Sequence, residues 1–319
     1  MTQENKHTIE DLRTMQSWDL ERKIRVTQTR ILEWYMRYNG QVYVSFSGGK
    51  DSTVLLDLAR RVHPDIPAVF VDTGLEYPEI REFVKSQNNI TIIRPEKSFR
   101  QVILEYGYPV ISKEVANIIR GARKGKSSYV RYCKVYDFDS ISDKYTKRYD
   151  CSRYRYLADS DIPISEQCCD VMKKNPAKLF EKKSGRKPII ATMANESALR
   201  QTSWIRYGCN VFEGKRESSR PMSFWTEQDV LQYLKRFNIP YSSVYGEIVE
   251  DDKGKLITTG CNRTGCMFCM FGCHLEKEPN RFQRLKETHP KQYEYMLKPV
   301  SEGGLGLKEV LDYIGVKYE

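Results

Sequence analysis

The chain has 319 residues, 40% hydrophobic and 29% charged, and its 52 basic against 42 acidic side chains leave a net charge of +10. Length alone argues for about two domains of ~150 residues each, and the residue balance excludes collagen-like or largely disordered chains. No apolar run approaches the ~20 residues of a membrane span, and the opening MTQENKHTIEDL lacks the apolar core of a signal peptide, so a cytoplasmic protein with no membrane partner is expected.

Residues 1–40 are expected to be helical. Thr8 with Asp11 has the form of a capping pair, and Leu20, Ile24, Ile31, Leu32 and Tyr35 recur at helical spacing after Ser17. Asn39-Gly40 stops the pattern. Residues 41–46 then read as a short buried strand, followed by the loop Ser47-Gly48-Gly49-Lys50-Asp51-Ser52 and a helix carrying Val54, Leu55, Leu58 and Ala59. The unit repeats as a strand over 66–71 ended by Asp72-Thr73-Gly74, a helix over 78–84 and a strand over 90–93. Helices between 99 and 119, a fourth strand over 187–193 and a helix over 196–207 continue it. Thr226 to Asp229 opens another amphipathic helix through Leu231 and Leu234, ended before Pro240, and a final helical region follows Pro279. Strands alternating with helical crossovers define an α/β fold with a mostly parallel sheet and helices on both faces. Ligands of such sheets lie at the carboxyl ends of the strands, so the ends at Ser47 and Asp72 are expected to face one site.

Residues 121–160 break the alternation, with ten Lys or Arg, five Asp and seven Tyr and no period. They read as an insertion. The chain is therefore divided into a helical region 1–40, a nucleotide-binding α/β domain 41–240 with its Tyr-rich basic insertion at 121–160, and a cysteine-rich and helical region 241–319. The basic excess favours anionic partners, nucleotides or nucleic acid.

The loop carries the strongest nucleotide signal. Adjacent Gly48 and Gly49 let backbone N–H groups approach phosphate oxygens, and the helix that follows adds the partial positive charge of its N-terminus. Ser47, Ser52 and Thr53 offer hydroxyls, Lys50 carries charge to the phosphates, and Asp51 is suited to Mg²⁺. The spacing is not that of a Walker loop. A plain strand-to-helix turn is the competing reading.

Nine cysteines in a reducing compartment call for a role other than disulfides. Four of them, Cys261, Cys266, Cys269 and Cys273, fall within thirteen residues, and Cys168 and Cys169 are adjacent. Such clustering points to a metal or iron–sulfur centre, for which thiolates are preferred ligands. Cys261, Cys266, Cys269 and Cys273 are by themselves enough for Zn²⁺ or a cluster.

Several motifs in fixed order carry a resemblance. Residues 47–52, the stretch Val71-Asp72-Thr73-Gly74-Leu75-Glu76-Tyr77-Pro78-Glu79, the stretch Asn195-Glu196-Ser197-Ala198-Leu199-Arg200, and Arg220-Pro221-Met222 with Trp225-Thr226 and Ile239-Pro240-Tyr241 resemble the PP-loop superfamily and, within it, the phosphoadenosine-phosphosulfate reductase family. The resemblance implies an adenine-nucleotide alpha hydrolase-like fold. It implies phosphate binding by Ser47, Gly48, Gly49, Lys50, Asp51, Ser52 and Thr53, with Asp72 beside the nucleotide or its metal and Arg200 on an anionic group. A surface pair of Glu196 with Arg200, four apart on a helix, is the alternative for that arginine. Lys113, Arg206 and Arg220 are further candidates for the pocket. The paired Cys168-Cys169 with distant Cys266-Met-Phe-Cys269 resembles the iron–sulfur reductases of the family and implies a [4Fe–4S] cluster on Cys168, Cys169, Cys266 and Cys269, with Cys261 and Cys273 as alternates.

Two departures set the expected reaction. No cysteine lies beyond Cys273, whereas the reductases attack with a cysteine near the C-terminus, and the loop keeps its full Ser-Gly-Gly-Lys-Asp-Ser form. On both counts the chain is similar to ATP-dependent thiolation enzymes and DNA phosphorothioation proteins. This implies an ATP- and Mg²⁺-dependent sulfur transferase that adenylates an acceptor in tRNA or DNA, releases pyrophosphate and inserts sulfur supplied by a cysteine desulfurase or another donor. Lys50, Asp51, Asp72 and Arg200 are its expected catalytic residues. Arg123, Lys124, Lys126, Arg131 and Lys134 would meet phosphates, and Tyr129, Tyr132, Tyr136, Tyr154 and Tyr156 would stack on exposed bases. The alternatives are an adenylyl-sulfate or phosphoadenylyl-sulfate reductase and a non-catalytic nucleotide-binding subunit of a modification or defence complex.

Overall fold

The computed structural model describes residues 5–125, 151–213 and 216–319. The chain divides into two compact units. The first comprises Met1–Asp72, Glu76–Arg94 and Pro176–Thr264, and the second Thr73–Leu75, Pro95–Asn175 and Gly265–Glu319.

The strands, in chain order, are β1 (Val42–Ser45), β2 (Ala68–Val71), β3 (Ile90–Ile93), β4 (Val110–Ile111), β5 (Lys187–Ile190), β6 (Asn210–Val211), β7 (Ser218–Ser219), β8 (Ile248–Glu250), β9 (Leu256–Thr258) and β10 (Met270–Phe271). In the first unit, six of them form one sheet in the order β3-β2-β1-β5-β7-β6. All neighbours run parallel except β6 with β7. Val44 of β1 lies opposite Ala68 on one side and Ile189 on the other. A central strand covered on both faces needs side chains that tolerate burial throughout, and Val42, Tyr43 and Val44 are all buried. The chain leaves β1 toward β2 and β3 but leaves β5 toward β7, so the strand order switches direction between β1 and β5. Ligands of open α/β sheets lie beyond the carboxyl ends of the strands at such a switch. The residues that follow β1 are the glycine loop, and those that follow β5 lead to Glu196 and Arg200.

Helices pack on this sheet around a core that includes Leu55, Leu58, Phe70, Trp34, Phe224 and Trp225. The expected Thr8–Asp11 pair is a complete capping box on the helix Ile9–Gln16. The N-terminal helical region consists of two helices, because Ser17 closes the first and the Asp19 side chain caps the second, Leu20–Arg37. Lys23 of that second helix is buried and forms an ion pair with Asp229 at 2.7 Å. Asp229 also completes the capping box of the helix Glu227–Arg236 with Thr226. β5 ends at Ile190, short of the expected 193, where the Thr192 N–H turns back to the Ile190 carbonyl at 3.0 Å.

In the second unit, β4 pairs in parallel with β10, Val110 opposite Met270 and Ile111 opposite Phe271. Helices Phe99–Tyr106, Lys113–Arg123, Arg281–Thr288, Pro290–Leu297 and Leu307–Tyr313 belong to this unit. Residues Asp170–Lys174, directly after the paired cysteines, form a π-helical turn, a feature frequent at functional sites. Arg123 is not a free cation. Its guanidinium donates to the carbonyls of Leu157, Ala158, Ser160 and Ile162. Tyr154 is buried with its ring edge toward His274, and Tyr156 lies against Tyr313. The expected acceptor contacts at Lys126, Tyr129, Arg131, Tyr132, Lys134 and Tyr136 lie outside the described residues. Among the described residues, no helix is long and apolar enough to cross a membrane.

Candidate functional site

The loop after β1 owes its shape to its glycines. Gly48 has φ +72°, and a Cβ there would stand 2.8 Å from the side chains of Ile80 and Val84. Gly49 is the N-cap of the helix Lys50–Val62 and provides no side-chain bond to the first turn, leaving amide donors directed at the loop. The hydroxyls brace it from within. Ser52 and Thr53 donate to the Gly49 carbonyl at 2.9 and 3.1 Å, and Ser47 and Ser52 share a bond of 3.0 Å.

Lys50 is buried, and its ammonium donates to the Asn262 carbonyl at 3.1 Å. Glu227 lies 3.1 Å from it and Asp51 3.6 Å. Burial works to lower the Lys50 pKa, but Asp51 and Glu227 outweigh it and raise it, so the charge is held. The Asp51 carboxyl is raised by burial, with Lys50 opposing and Glu196 and Glu227 adding to the shift. Its Oδ1 is buried without a hydrogen-bond partner. A buried carboxylate oxygen that makes no hydrogen bond and stands among other carboxylates, with the Lys50 ammonium at 3.6 Å, is a donor suited to a hard divalent cation, so the residues fit the Mg²⁺ expected from the sequence.

Asp72 follows β2, which lies beside β1 in parallel, so the two strand ends share one edge of the sheet as expected. Its Oδ2 sits 3.2 Å from both Arg81 and Arg94. Its charge is thus met by two guanidinium groups. Arg200 sits in the first turn of the helix Ala198–Tyr207, whose N-cap is Ser197, and is paired with Glu196. The i,i+4 pair offered by the sequence is formed. Arg200 nevertheless lines a small cavity with Arg220, Thr192, Trp204 and Ser223. Arg220 donates to the Ser203 hydroxyl at 2.7 Å, and its pKa is lowered by burial and by the neighbouring Arg216 and Arg200. Two guanidinium groups on one cavity suit an anion. Arg206 instead stands over the Tyr207 ring, and Lys113 belongs to the second unit.

Tyr245, Asn262 and Thr264 also contact the loop, and no motif in the sequence marks them. The Lys50 N–H donates to the Tyr245 hydroxyl at 3.2 Å, across 195 residues of chain. Only folding makes that contact.

The second unit holds the cysteines. Cys168, Cys169, Cys266 and Cys269 line one small apolar cavity with Leu75, Phe99, Pro109, Met172 and Lys173. The sulfurs of Cys168 and Cys169 are 4.0 Å apart. The Cys169 thiol is lowered to about 5 by the bond from Cys168, against burial, with help from Lys113 and Lys173. Cys168 is raised by giving that bond and by burial. The backbone around the downstream pair is fixed by Met267 N–H to the Leu75 carbonyl at 2.8 Å and by Arg281, which donates to the Cys269 carbonyl at 2.8 Å.

Of the alternates, Cys261 falls in the first unit. Cys273 is a buried thiol that donates to the Met270 carbonyl at 3.1 Å and is pushed up to about 12 by burial. Neither lines the cavity. Cys209 is likewise pushed up to about 11 by burial, as expected of an inert thiol. Among the described residues, no three His, Cys, Asp or Glu side chains converge as a single-ion site. Four thiols around an apolar cavity fit a multi-atom cluster, in which each metal takes one sulfur, better than a lone Zn²⁺.

A mostly parallel α/β sheet with a glycine-rich loop at the switch between β1 and β5 defines an adenine-nucleotide hydrolase-like, PP-loop protein. The chain belongs to the phosphoadenosine phosphosulfate reductase domain family, which it matches over residues 41–119 and 112–271. It is 23% identical over 296 residues to an uncharacterized protein of Methanocaldococcus jannaschii, covering 92% of this chain and 55% of that protein. It is 25% identical over 223 residues to adenosine 5'-phosphosulfate reductase of Staphylococcus haemolyticus, covering 68% of this chain and 70% of that enzyme. Sulfate adenylyltransferase subunit 2 of Brucella ovis is 26% identical over 210 residues, with 63% and 59% covered. The chain thus spans about half the length of the archaeal relative. A phosphoadenylyl-sulfate reductase structure from Candida auris aligns at 13% identity and TM-score 0.40, covering 78% of this chain and 97% of that one.

Proposed function

We propose that the chain acts on a sulfonucleotide of the adenylyl-sulfate class, bound by its phosphate at residues 47–53, and that Cys168, Cys169, Cys266 and Cys269 hold a [4Fe–4S] cluster. The observation that carries this reading is the single apolar cavity lined by both cysteine pairs. Kinship to an adenylyl-sulfate reductase and to a sulfate adenylyltransferase subunit supports the nucleotide class. Lys50, buried yet charged, binds the phosphate oxygens, while Arg200 and Arg220 bind a second anionic group. Lys113 and Lys173 offset negative charge at the cysteines. A bound cluster would supply positive metal centres and an electron-accepting site. The reaction is a two-electron reduction in which a dithiol is oxidised to a disulfide and sulfite leaves with AMP. Anaerobic protein given adenylyl sulfate and a dithiol reductant should release sulfite and AMP in equal amounts. Iron-replete protein that releases neither sinks this reading.

A second reading is favoured by the unbroken loop and by the buried Asp51 oxygen that makes no hydrogen bond. Here Mg²⁺ and ATP would occupy the loop, an oxygen of a tRNA or DNA acceptor would attack the α-phosphate, and pyrophosphate would leave before sulfur from a persulfide donor displaces AMP. Acceptor-stimulated pyrophosphate release without sulfite would select it over the first.

A further inference from the structure

We infer that Tyr245 is a resident occupant of the phosphate loop: its hydroxyl takes the place of a phosphoryl oxygen at the Lys50 amide and yields it when a phosphate-bearing ligand binds. The inference rests on the phosphate-loop reading above but not on which nucleotide the loop takes.

Gly49 leaves the first turn of the helix Lys50–Val62 without a side-chain cap. Amides in that position are the donors an anion uses. Here the Lys50 N–H is already given to the Tyr245 oxygen at 3.2 Å. Tyr245 is only 2% exposed, and its hydroxyl is pinned to that of Thr264 at 2.6 Å. A Cβ built on Gly49 would meet the Tyr245 oxygen at 3.1 Å and the Thr264 oxygen at 3.4 Å. The space that glycine opens is therefore filled by two hydroxyls.

The ammonium of Lys50 is treated the same way. It lies 5.6 Å from the centre of the Tyr245 ring and donates to the Asn262 carbonyl. The side-chain oxygen of Asn262 is in turn bonded by Thr258 at 3.3 Å. The amide and the ammonium of Lys50, two donors of the loop, thus each meet a neutral oxygen from residues 245–264.

An amide has one hydrogen, so Tyr245 and a phosphate oxygen cannot both accept it at full strength. A charged oxygen makes the stronger bond, and it also neutralises Lys50. A phosphate or pyrophosphate group displaces the hydroxyl, whereas a neutral ligand has no such advantage. Tyr245 thereby sets a threshold for occupancy of the loop.

The substitution Tyr245→Phe keeps the ring beside Lys50 and removes only the competing oxygen. Calorimetric titration with inorganic pyrophosphate should show binding about five-fold tighter than to the unchanged chain, the equivalent of one net hydrogen bond. The same variant without pyrophosphate should melt at a slightly lower temperature, because the Lys50 amide is left without its acceptor. Thr264→Val, which frees the hydroxyl instead of deleting it, should tighten binding by a smaller factor and keeps the test open if Tyr245→Phe folds poorly. Equal or weaker pyrophosphate binding in folded Tyr245→Phe overturns the inference and leaves the loop reading standing. Failure of the unchanged chain and both variants to bind pyrophosphate overturns the loop reading, and the inference with it.

Discussion

Around the phosphate loop, polar groups are answered by other polar groups of the chain. Lys50 meets Asn262, Glu227 and Asp51, Asp72 meets Arg81 and Arg94, and Arg200 meets Glu196. The four cysteines instead line a cavity walled by Leu75, Phe99, Pro109 and Met172, with Lys173 in its lining. The first arrangement is closed by competition, so a ligand must bring enough charge to break existing bonds. The second is closed by shape and by sulfur, so a ligand must be one that thiolates bind. On the proposed function, anion selectivity belongs to the loop and metal selectivity to the cavity.

The largest expected effect separates the two. Replacing Cys266 and Cys269 together by Ser should remove nearly all iron and labile sulfide from anaerobically prepared protein, by chemical assay, while pyrophosphate binding at the loop persists. Retained iron would break the contrast. A purely structural polar contact gives the next effect. Lys23→Met leaves the buried Asp229 carboxylate, still bonded by Thr226, without its cation and should cost about 3–5 kcal/mol in denaturant unfolding. Lys50→Met should weaken binding of adenylyl sulfate about 10- to 100-fold, the range of a charge-assisted bond, without changing iron content. Loss of iron in that variant would mean the two sites are not separable.

The smallest effect is one of pH. Burial alone would raise the Glu276 pKa, but its bonds with Arg281 outweigh this and lower it. A carboxyl lowered in the folded state contributes stability above its unfolded pKa and loses it as pH falls through the folded value. Denaturant midpoints should therefore drop on acidification below the ordinary carboxylate range, and Glu276→Gln should flatten that slope slightly. An unchanged slope would mean that the Glu276–Arg281 pair adds nothing to stability.

Local signals were legible in the sequence. The capping pair at Thr8–Asp11, the helix start at Thr226–Asp229, the strand at 90–93 and the glycine loop are set within a few residues, and each formed where expected. What failed locally was the extent of β5, which the Thr192 turn shortened. Spacing could not rank the cysteines, because Cys261 and Cys273 are as dense along the chain as Cys266 and Cys269. Burial and the Met270 carbonyl decide for Cys273. The partners of the loop were illegible for a simpler reason. Tyr245 and Asn262 reach Lys50 over 195 and 212 residues, and nothing in their own neighbourhoods marks them.

The most direct test follows the sulfur atom. Adenylyl sulfate labelled at sulfur is given anaerobically to iron-replete protein with a dithiol reductant. The expected result is label recovered as sulfite, lost in Lys50→Met through binding and in the Cys266 and Cys269 double variant through the missing cluster. Label remaining in the nucleotide, while ATP yields pyrophosphate on addition of tRNA or DNA, would contradict a sulfonucleotide as the substrate of this chain.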